Sequence, residues 1–361
     1  MSMHKEPREK KKVDVIFTGL VRAPEKFKKS IADMVKLRKE GLINKIIFST
    51  WDYEAEKNSE IISFLGKNNV IVIATKEPED RGIGNIWCQM KSLDVGLSKI
   101  DEDRFVLKNR TDIYINPNFL RELFNKKESL LKINRNLPNG NIFKYKVWVH
   151  YYELKTPFHM GEECFFGHHH DIKLLVNYDK SYDEKYKVGD AISHIRKFIH
   201  PFLNNYPILY DYLKTYSKDS FLKTLAIKFS HKIFEVRGFK IARKISAKNK
   251  FNNLEKKLKD DKFINILATY YSILHSHFHI DGSSFKNLVI NVPSRPESAP
   301  GAKLDPIEFK KNLSALTHPT RLGQVYIHDM ELLSNICNNK LNKDAISERL
   351  MKAIKRFNVK N

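Results

Sequence analysis

Residues 13–17 read VDVIF, a short, β-branched and almost continuously apolar run that ends at Thr18-Gly19. A run of this kind followed by a turn predicts a buried strand. Three similar runs follow along the chain: KIIFST at 45–50, VIVIA at 70–74 and RFVLK at 104–108. Stretches with helical spacing of apolar residues separate these runs. Strands that alternate with helices predict βαβ units and an open, Rossmann-like α/β sheet.

The ends of these strands indicate where a ligand would bind. In open α/β sheets, ligands lie just beyond the carboxyl ends of the strands. Thr18, Gly19 and Arg22 follow the first predicted strand, and Asp52 follows the second. We therefore expect these residues, together with the segment after Leu107, to line the binding site.

The charge of the chain restricts its partners. Its 361 residues include 64 Lys and Arg against 42 Asp and Glu, a formal net charge of +22. A hydrophobic content of 42% excludes a disordered chain, so the charge belongs to a folded body. Such a charge favours nucleic acid, anionic membranes or phosphorylated substrates, or else a solvated lysine-rich surface. The three cysteines are widely spaced, which excludes a disulfide scaffold or a zinc ribbon.

The most informative polar segment is residues 108–114, KNRTDIY. If the fourth strand continues through it, a period of two places Lys108, Arg110 and Asp112 on one side. Two cations and a carboxylate at a strand end predict an anion site, with Asp112 as a ligand for Mg²⁺ or Mn²⁺. The alternative is an Arg–Asp ion pair of purely structural importance.

The helix before this strand carries a polar stripe. Asn85, Gln89 and Ser92 follow a spacing of four and three residues, and Arg81 lies in the segment that leads into the helix. Side chains at this spacing share one helix face. We expect them to bind a sugar or ribose; the alternative is a solvated face.

These segments together resemble the WavE-type lipopolysaccharide-synthesis family of GT-A-like glycosyltransferases. The resemblance covers roughly residues 13–170 and consists of TGLVR after the first strand, the Asn-x3-Gln-x2-Ser helix and Lys-x-Arg-Thr-Asp. It implies that Thr18, Gly19, Arg22 and Asp52 hold the nucleotide. It also places Asp112 at the metal-binding end of the Asp-x-Asp motif. Arg110 stands at the first Asp position of that motif, so Arg110 or Lys108 would replace the metal in neutralising the diphosphate.

A second polar segment contains two adjacent carboxylates, Glu162 and Glu163, before an apolar stretch. A carboxylate in reach of an acceptor hydroxyl can act as a general base. Of the two we favour Glu162, while inversion or retention stays open. His328, after the short predicted strand 324–327, is a candidate metal ligand or phosphate contact. The histidines of HSHFHI (275–280) would alternate on one strand face.

The sequence thus predicts a glycosyltransferase that moves a sugar from a nucleotide-sugar donor to a lipopolysaccharide or capsular polysaccharide acceptor, glycan or lipid-linked. We expect a basic, flexible leader at 1–12 without signal-peptide character and a GT-A-like catalytic core at 13–200. A basic helical region at 201–285 and a C-terminal part at 286–361 would follow.

The location in the cell follows from the basic region. Its segment 220–250 would meet an anionic membrane, which predicts a cytoplasmic protein bound peripherally at the inner face of the plasma membrane; the alternative is a core helix with a solvated basic side. The longest nearly apolar run, 263–274, is too short to span a bilayer. The alternative function is a basic nucleic-acid-binding protein on an α/β scaffold. No zinc-finger spacing or aromatic RNA-binding consensus supports it, so no specific nucleic acid is expected.

Overall fold

The computed structural model describes residues 12–82, 85–133, 140–150, 157–178, 190–214, 261–279 and 288–290. The strands are β1 Val13–Thr18, β2 Ile43–Trp51, β3 Ile71–Thr75, β4 Phe105–Arg110, β5 Ile113–Ile115, β6 Val147–Val149, β7 Cys164–His168, β8 Phe278–His279 and β9 Leu288–Ile290. The helices are α1 Pro24–Lys39, α2 Asp52–Lys57, α3 Ser59–Lys67, α4 Ile86–Leu97, α5 Pro117–Leu130, α6 His169–Lys173, α7 Asp190–Ile199 and α8 Asp261–His277. A short 3-10 helix at His200–Phe202 follows α7.

Seven of these strands form one open sheet in the order β3-β2-β1-β4-β7-β6-β8. The first four are parallel, whereas β7 runs antiparallel to both β4 and β6, and β8 is parallel to β6. Strands β5 and β9 form a separate antiparallel pair. The predicted open, Rossmann-like α/β sheet is confirmed.

Helices cover the sheet on both faces. Val15 and Phe17 of β1 pack with α1, α3 and α5 on one face. Ile16 of β1 and Val106 of β4 pack with α4, α7 and α8 on the other. Strands buried on both faces read as continuous apolar runs rather than as alternating ones. This is why VDVIF and its counterparts were recognisable in the sequence.

The structure differs from the predictions in two elements. Of the partly alternating stretch 142–152, the described residues form the short strand β6 and an isolated bridge at Tyr145 rather than one long strand. The histidines of HSHFHI do not share a strand face, because α8 continues to His277. Burial lowers the pKa of His277 to about 4, and its Nε2 accepts a hydrogen bond from the backbone N–H of Ile142 at 3.1 Å. The imidazole of His277 is therefore a neutral core group.

Several predictions fall outside the described residues. They are the leader, the basic segment 220–250, His328 and most of the predicted C-terminal part. The proposed domain boundaries stay predictions. Within the described ranges, no helix has both the length and the apolar character required to cross a bilayer.

Candidate functional site

A cleft opens where the strand order of the sheet changes direction. From β1 the chain proceeds outward to β2 and β3, and then returns to place β4 on the other side of β1. The last residues of the two central strands, Thr18 and Arg110, are paired in register. Such a switch point leaves a crevice beyond the carboxyl ends of the strands. A cavity of ≈ 340 Å³ lies there, within the usual size range of small-molecule sites.

The loop after β1 forms one wall of the cleft and is tied down from several sides. Gly19 has a φ of +102°, a backbone conformation that disfavours residues with a Cβ. Its carbonyl accepts a hydrogen bond from Thr50 Oγ1 at 3.1 Å. Two residues later, the Val21 N–H donates to the buried carboxylate of Glu54 at 2.7 Å. These bonds fix the backbone that presents Arg22 to the cleft.

The end of β4 and the turn after it form the adjoining part of the cleft, in contact with the loop after β1 through the hydrogen bond from Thr111 Oγ1 to the carbonyl of Leu20. Nε of Arg110 donates to Oδ1 of Asp112 at 2.8 Å, and Nη2 of Arg110 donates to Oδ2. Nη1 of Arg22 lies 3.8 Å from the same Oδ2. Burial opposes the charge on Arg110, but the hydrogen bonds and charge of Asp112 leave the pKa of Arg110 raised. The ion pair between Arg110 and Asp112, which the sequence offered as the alternative to a metal site, is therefore present, and both residues line the cleft.

Lys108 of β4, Lys197 of α7 and Glu162 form a buried cluster of charged side chains. Nζ of Lys108 donates to the carbonyls of Glu162 and Glu163, and so fixes the backbone just before β7. Nζ of Lys197, from α7, lies 3.4 Å from Oε2 of Glu162 and 3.1 Å from Oε1 of Gln89. Burial, followed by the like charge of Lys197, lowers the pKa of Lys108 to about 7. Lys108 therefore changes protonation close to neutral pH.

The helix α4 supplies the third side of the cleft. Asn85 precedes the helix in a left-handed conformation, with a φ of 56°. Asn85, Gln89 and Ser92 all line the cavity, as does Arg81, which is paired with Glu77 at 2.7 Å. Ser92 also donates to a carbonyl of β2, so its hydroxyl holds the helix against the sheet.

These residues do not fit a bound divalent cation. Both oxygens of Asp112 accept hydrogen bonds from Arg110. The other two carboxylates that line the cavity, Glu77 and Glu162, are each paired with a cationic side chain. No cluster of three potential metal ligands occurs among the described residues. A donor set rich in guanidinium and ammonium groups suits an anion instead.

Most of the residues predicted from the sequence line this single cavity. They are Thr18, Gly19, Arg22, Arg81, Asn85, Gln89, Lys108, Arg110, Asp112 and Glu162. Asp52 does not, because it begins α2 with an exposed side chain while its neighbours Trp51 and Tyr53 line the cleft. Glu163 is also absent from the lining, and its carboxylate lies 3.5 Å from Nε2 of the buried His150.

Sequence reasoning missed Lys197, the buried partner of Glu162. Its segment, DAISHIRKFI, has the alternating apolar and basic character of an ordinary amphipathic helix, and no local signal marks one lysine as buried. The aromatic residues Trp51 and Tyr53 were also missed. Their position directly after the second predicted strand was the available signal.

Comparisons with known proteins give fold-level likenesses only. No protein-family model and no curated protein matches the sequence, so the resemblance to the WavE-type family stays a prediction. The crystal structure of mouse xyloside xylosyltransferase 1 in its apo form is 10% identical, with a TM-score of 0.30 over 55% of this chain and 82% of that chain. The crystal structure of S. aureus TarS 1-349 is 13% identical, with a TM-score of 0.31 over 73% of this chain and 84% of that chain. Likeness at this level leaves the activity of the chain to be inferred from its own site.

Proposed function

We propose that this chain is a glycosyltransferase that binds a nucleotide-sugar donor in the cleft at the carboxyl ends of β1 and β4. The observation that carries the proposal is the convergence of Arg22, Lys108 and Arg110 on the same cavity that receives the buried carboxylate of Glu162. The cations would bind the diphosphate of the donor. The carboxylate of Glu162 would take the proton of the acceptor hydroxyl.

The balance of charge in the cleft supports a diphosphate ligand. The cationic side chains are Arg22, Arg81, Lys108 and Arg110, with Lys197 behind the cavity wall. The carboxylates that line the cavity are Glu77, Asp112 and Glu162. With Lys108 protonated, the cations are in excess by about two charges, and the two phosphoryl groups of a diphosphate ester carry about one negative charge each. A bound donor would thus neutralise the site.

In the proposed reaction, the acceptor hydroxyl oxygen bonds to the anomeric carbon as the bond from that carbon to the phosphate oxygen breaks. The electron pair of the broken bond leaves with the nucleoside diphosphate, where Arg110 and Lys108 stabilise the developing charge. Fixed cations in a partly desolvated site suit this role, because they need no reorganisation during the reaction. Glu162 takes the proton of the hydroxyl as general base.

Lys108 connects the two halves of this proposed mechanism. Lys108 lines the cleft, and its ammonium group donates to the backbone carbonyls of Glu162 and Glu163. Lys197 holds the side chain of Glu162 from the other side. The proposed base is therefore positioned by two buried lysines.

The proposal for the acceptor rests on the sequence resemblance. The segments TGLVR, Asn-x3-Gln-x2-Ser and Lys-x-Arg-Thr-Asp resemble the WavE-type family, which favours a lipopolysaccharide or capsular polysaccharide acceptor. A lipid-linked acceptor would place the enzyme in the cytoplasm, at the inner face of the plasma membrane.

Thermal unfolding in the presence of candidate ligands tests the proposal. The purified chain is heated with UDP-, GDP- and CMP-linked sugars, and separately with duplex and single-stranded nucleic acid. A nucleotide sugar at a hundredfold excess over its Kd should stabilise the chain by about 2.7 kcal/mol. Stabilisation by nucleic acid but by no nucleotide sugar would refute a transferase. Release of free nucleotide on addition of acceptor glycans then measures the transfer itself.

A further inference from the structure

We propose that Asp112 is the anchor of an arginine pair, Arg110 and Arg22, and that this pair binds the diphosphate of the donor without a divalent cation. The inference rests on the proposed function and extends it to the cofactor requirement. It reverses the role that the sequence suggests for Asp112, which is that of a metal ligand.

The geometry leaves Arg110 free to bind a ligand while it is held in place. An arginine has five N–H donors in a planar fork. Asp112 occupies one on Nε and one on Nη2, so both donors on Nη1 and one on Nη2 remain for phosphate oxygens. The side chain of Arg110 is 30% exposed, whereas that of Asp112 is 4% exposed. The carboxylate is thus behind the guanidinium, which reaches the cavity.

Arg22, from the loop after β1, adds a second guanidinium beside the same carboxylate. Its side chain is 49% exposed, and its Nη1 lies 3.8 Å from Oδ2 of Asp112. The Glu54 carboxylate binds the backbone N–H of Val21 and so fixes the backbone from which Arg22 extends. Two arginines that share one buried carboxylate retain one net positive charge. Lys108 adds a second charge when it is protonated.

A divalent cation at Asp112 would meet unfavourable surroundings. It would have to displace Arg110 from a two-bond pair, or lie next to two guanidinium groups of like charge. The remaining carboxylates of the cavity, Glu77 and Glu162, are paired with Arg81 and Lys197. The arginines also supply what a metal would supply, which is positive charge at the leaving diphosphate.

Isothermal titration of the full-length chain with UDP and with GDP tests the inference. Each titration is made once in EDTA and once in MnCl₂. For whichever nucleotide binds, we expect Kd values in the two buffers that agree within about threefold, since the arginines provide the charge. In EDTA, Arg110→Gln should raise that Kd by at least about tenfold.

Two further variants distinguish a loss of ligand binding from a loss of folding. Arg22→Gln changes a half-exposed side chain and should also raise the Kd in EDTA without lowering the unfolding temperature. Arg121→Gln is the matched control: Arg121 forms a similar two-bond pair with Glu40, with Nε at 2.6 Å from Oε2, but it lies outside the cleft. Its Kd should equal that of the unmodified chain.

The outcomes separate the two proposals. Binding that requires Mn²⁺, or binding in EDTA that survives both Arg110→Gln and Arg22→Gln, refutes the arginine pair and leaves the transferase standing. Binding of neither UDP nor GDP in either buffer refutes the diphosphate site itself, and with it the arginine pair.

Discussion

Lys108 should make the stability and the ligand affinity of the protein respond to pH in opposite directions. Burial, together with the charge of Lys197, lowers the pKa of Lys108 to about 7. In the unfolded chain the same group titrates near its ordinary value of about 10.4. Between these two values the unfolded state binds more protons than the folded state. The free energy of unfolding therefore rises with pH in this window.

The size of the stability effect follows from that difference. From pH 7 to pH 9, this single group should add about 2 kcal/mol to the free energy of unfolding. Urea unfolding of the unmodified chain and of Lys108→Met, at half-unit steps of pH, isolates the contribution. Lys126→Met is the control, because Lys126 is an exposed lysine paired with Glu122. The stability difference between the unmodified chain and Lys126→Met should stay constant over the same range.

Binding of an anion should show the opposite slope. A phosphate charge about 4 Å from the Lys108 ammonium group gains about 4 kcal/mol at an effective dielectric constant of 20. Essentially only the protonated form therefore binds over two pH units. Protonated Lys108 falls from about one half to about 1% between pH 7 and pH 9, so the Kd for a nucleotide sugar should rise roughly 50-fold.

The pKa shifts of two nearby groups, Cys88 and His150, move their protonation changes away from the range between pH 7 and pH 9. The Cys88 thiol lines the same cavity, but burial raises its pKa to about 11. Burial also lowers the pKa of His150 below its ordinary range. A flat affinity profile, or the same slope in Lys108→Met as in the unmodified chain, would show that Lys108 does not supply the binding charge.

Further substitutions test the rest of the site. Glu162→Gln should lower kcat by about 10²–10⁴-fold with the donor Kd nearly unchanged, as expected for a general base; an equal loss in Glu163→Gln, measured by nucleotide release, would contradict this assignment. Gly161→Ala should destabilise the chain by about 1–3 kcal/mol in urea unfolding, because the added Cβ would lie 2.1 Å from Cε1 of His150. Glu54→Ala should cost about 1–3 kcal/mol by leaving a backbone N–H of the loop after β1 unpaired; unchanged stability together with an unchanged donor Kd would show that the loop keeps its position without this carboxylate.

The parallel half of the sheet was predictable because burial on both faces leaves continuous apolar runs. VDVIF became β1, and RFVLK became β4. The direction of β7 was not predictable, since pairing direction depends on long-range contacts rather than on local pattern. The apolar stretch 263–274 lies within α8, and that helix includes the first two histidines of HSHFHI.

The candidate site was predictable where its residues lie in the last residues of a strand or just after it. Lys108 and Arg110 at the end of β4, and Asp112 after it, are examples, because the topology itself brings them to the cleft. Lys197 could not be found this way, since its contact with Glu162 spans 35 positions of sequence. Asp52 lies outside the lining of the cavity for a local reason: α2 begins at that residue and leaves its side chain exposed.

The central position of β4 determines how the cleft can open. This strand is hydrogen-bonded to β1 on one side and to β7 on the other, so its amide protons should exchange with solvent only when the whole domain unfolds. Residues 19–22 lie outside any strand or helix, and the hydrogen bonds described above from Thr50 and to Glu54 hold them in place. Local opening that breaks these few bonds costs less than unfolding of the domain, so this backbone should exchange sooner than that of β4. Entry and departure of a ligand would then depend on local opening of the loop at 19–22, while Lys108 and Arg110 on β4 stay in place.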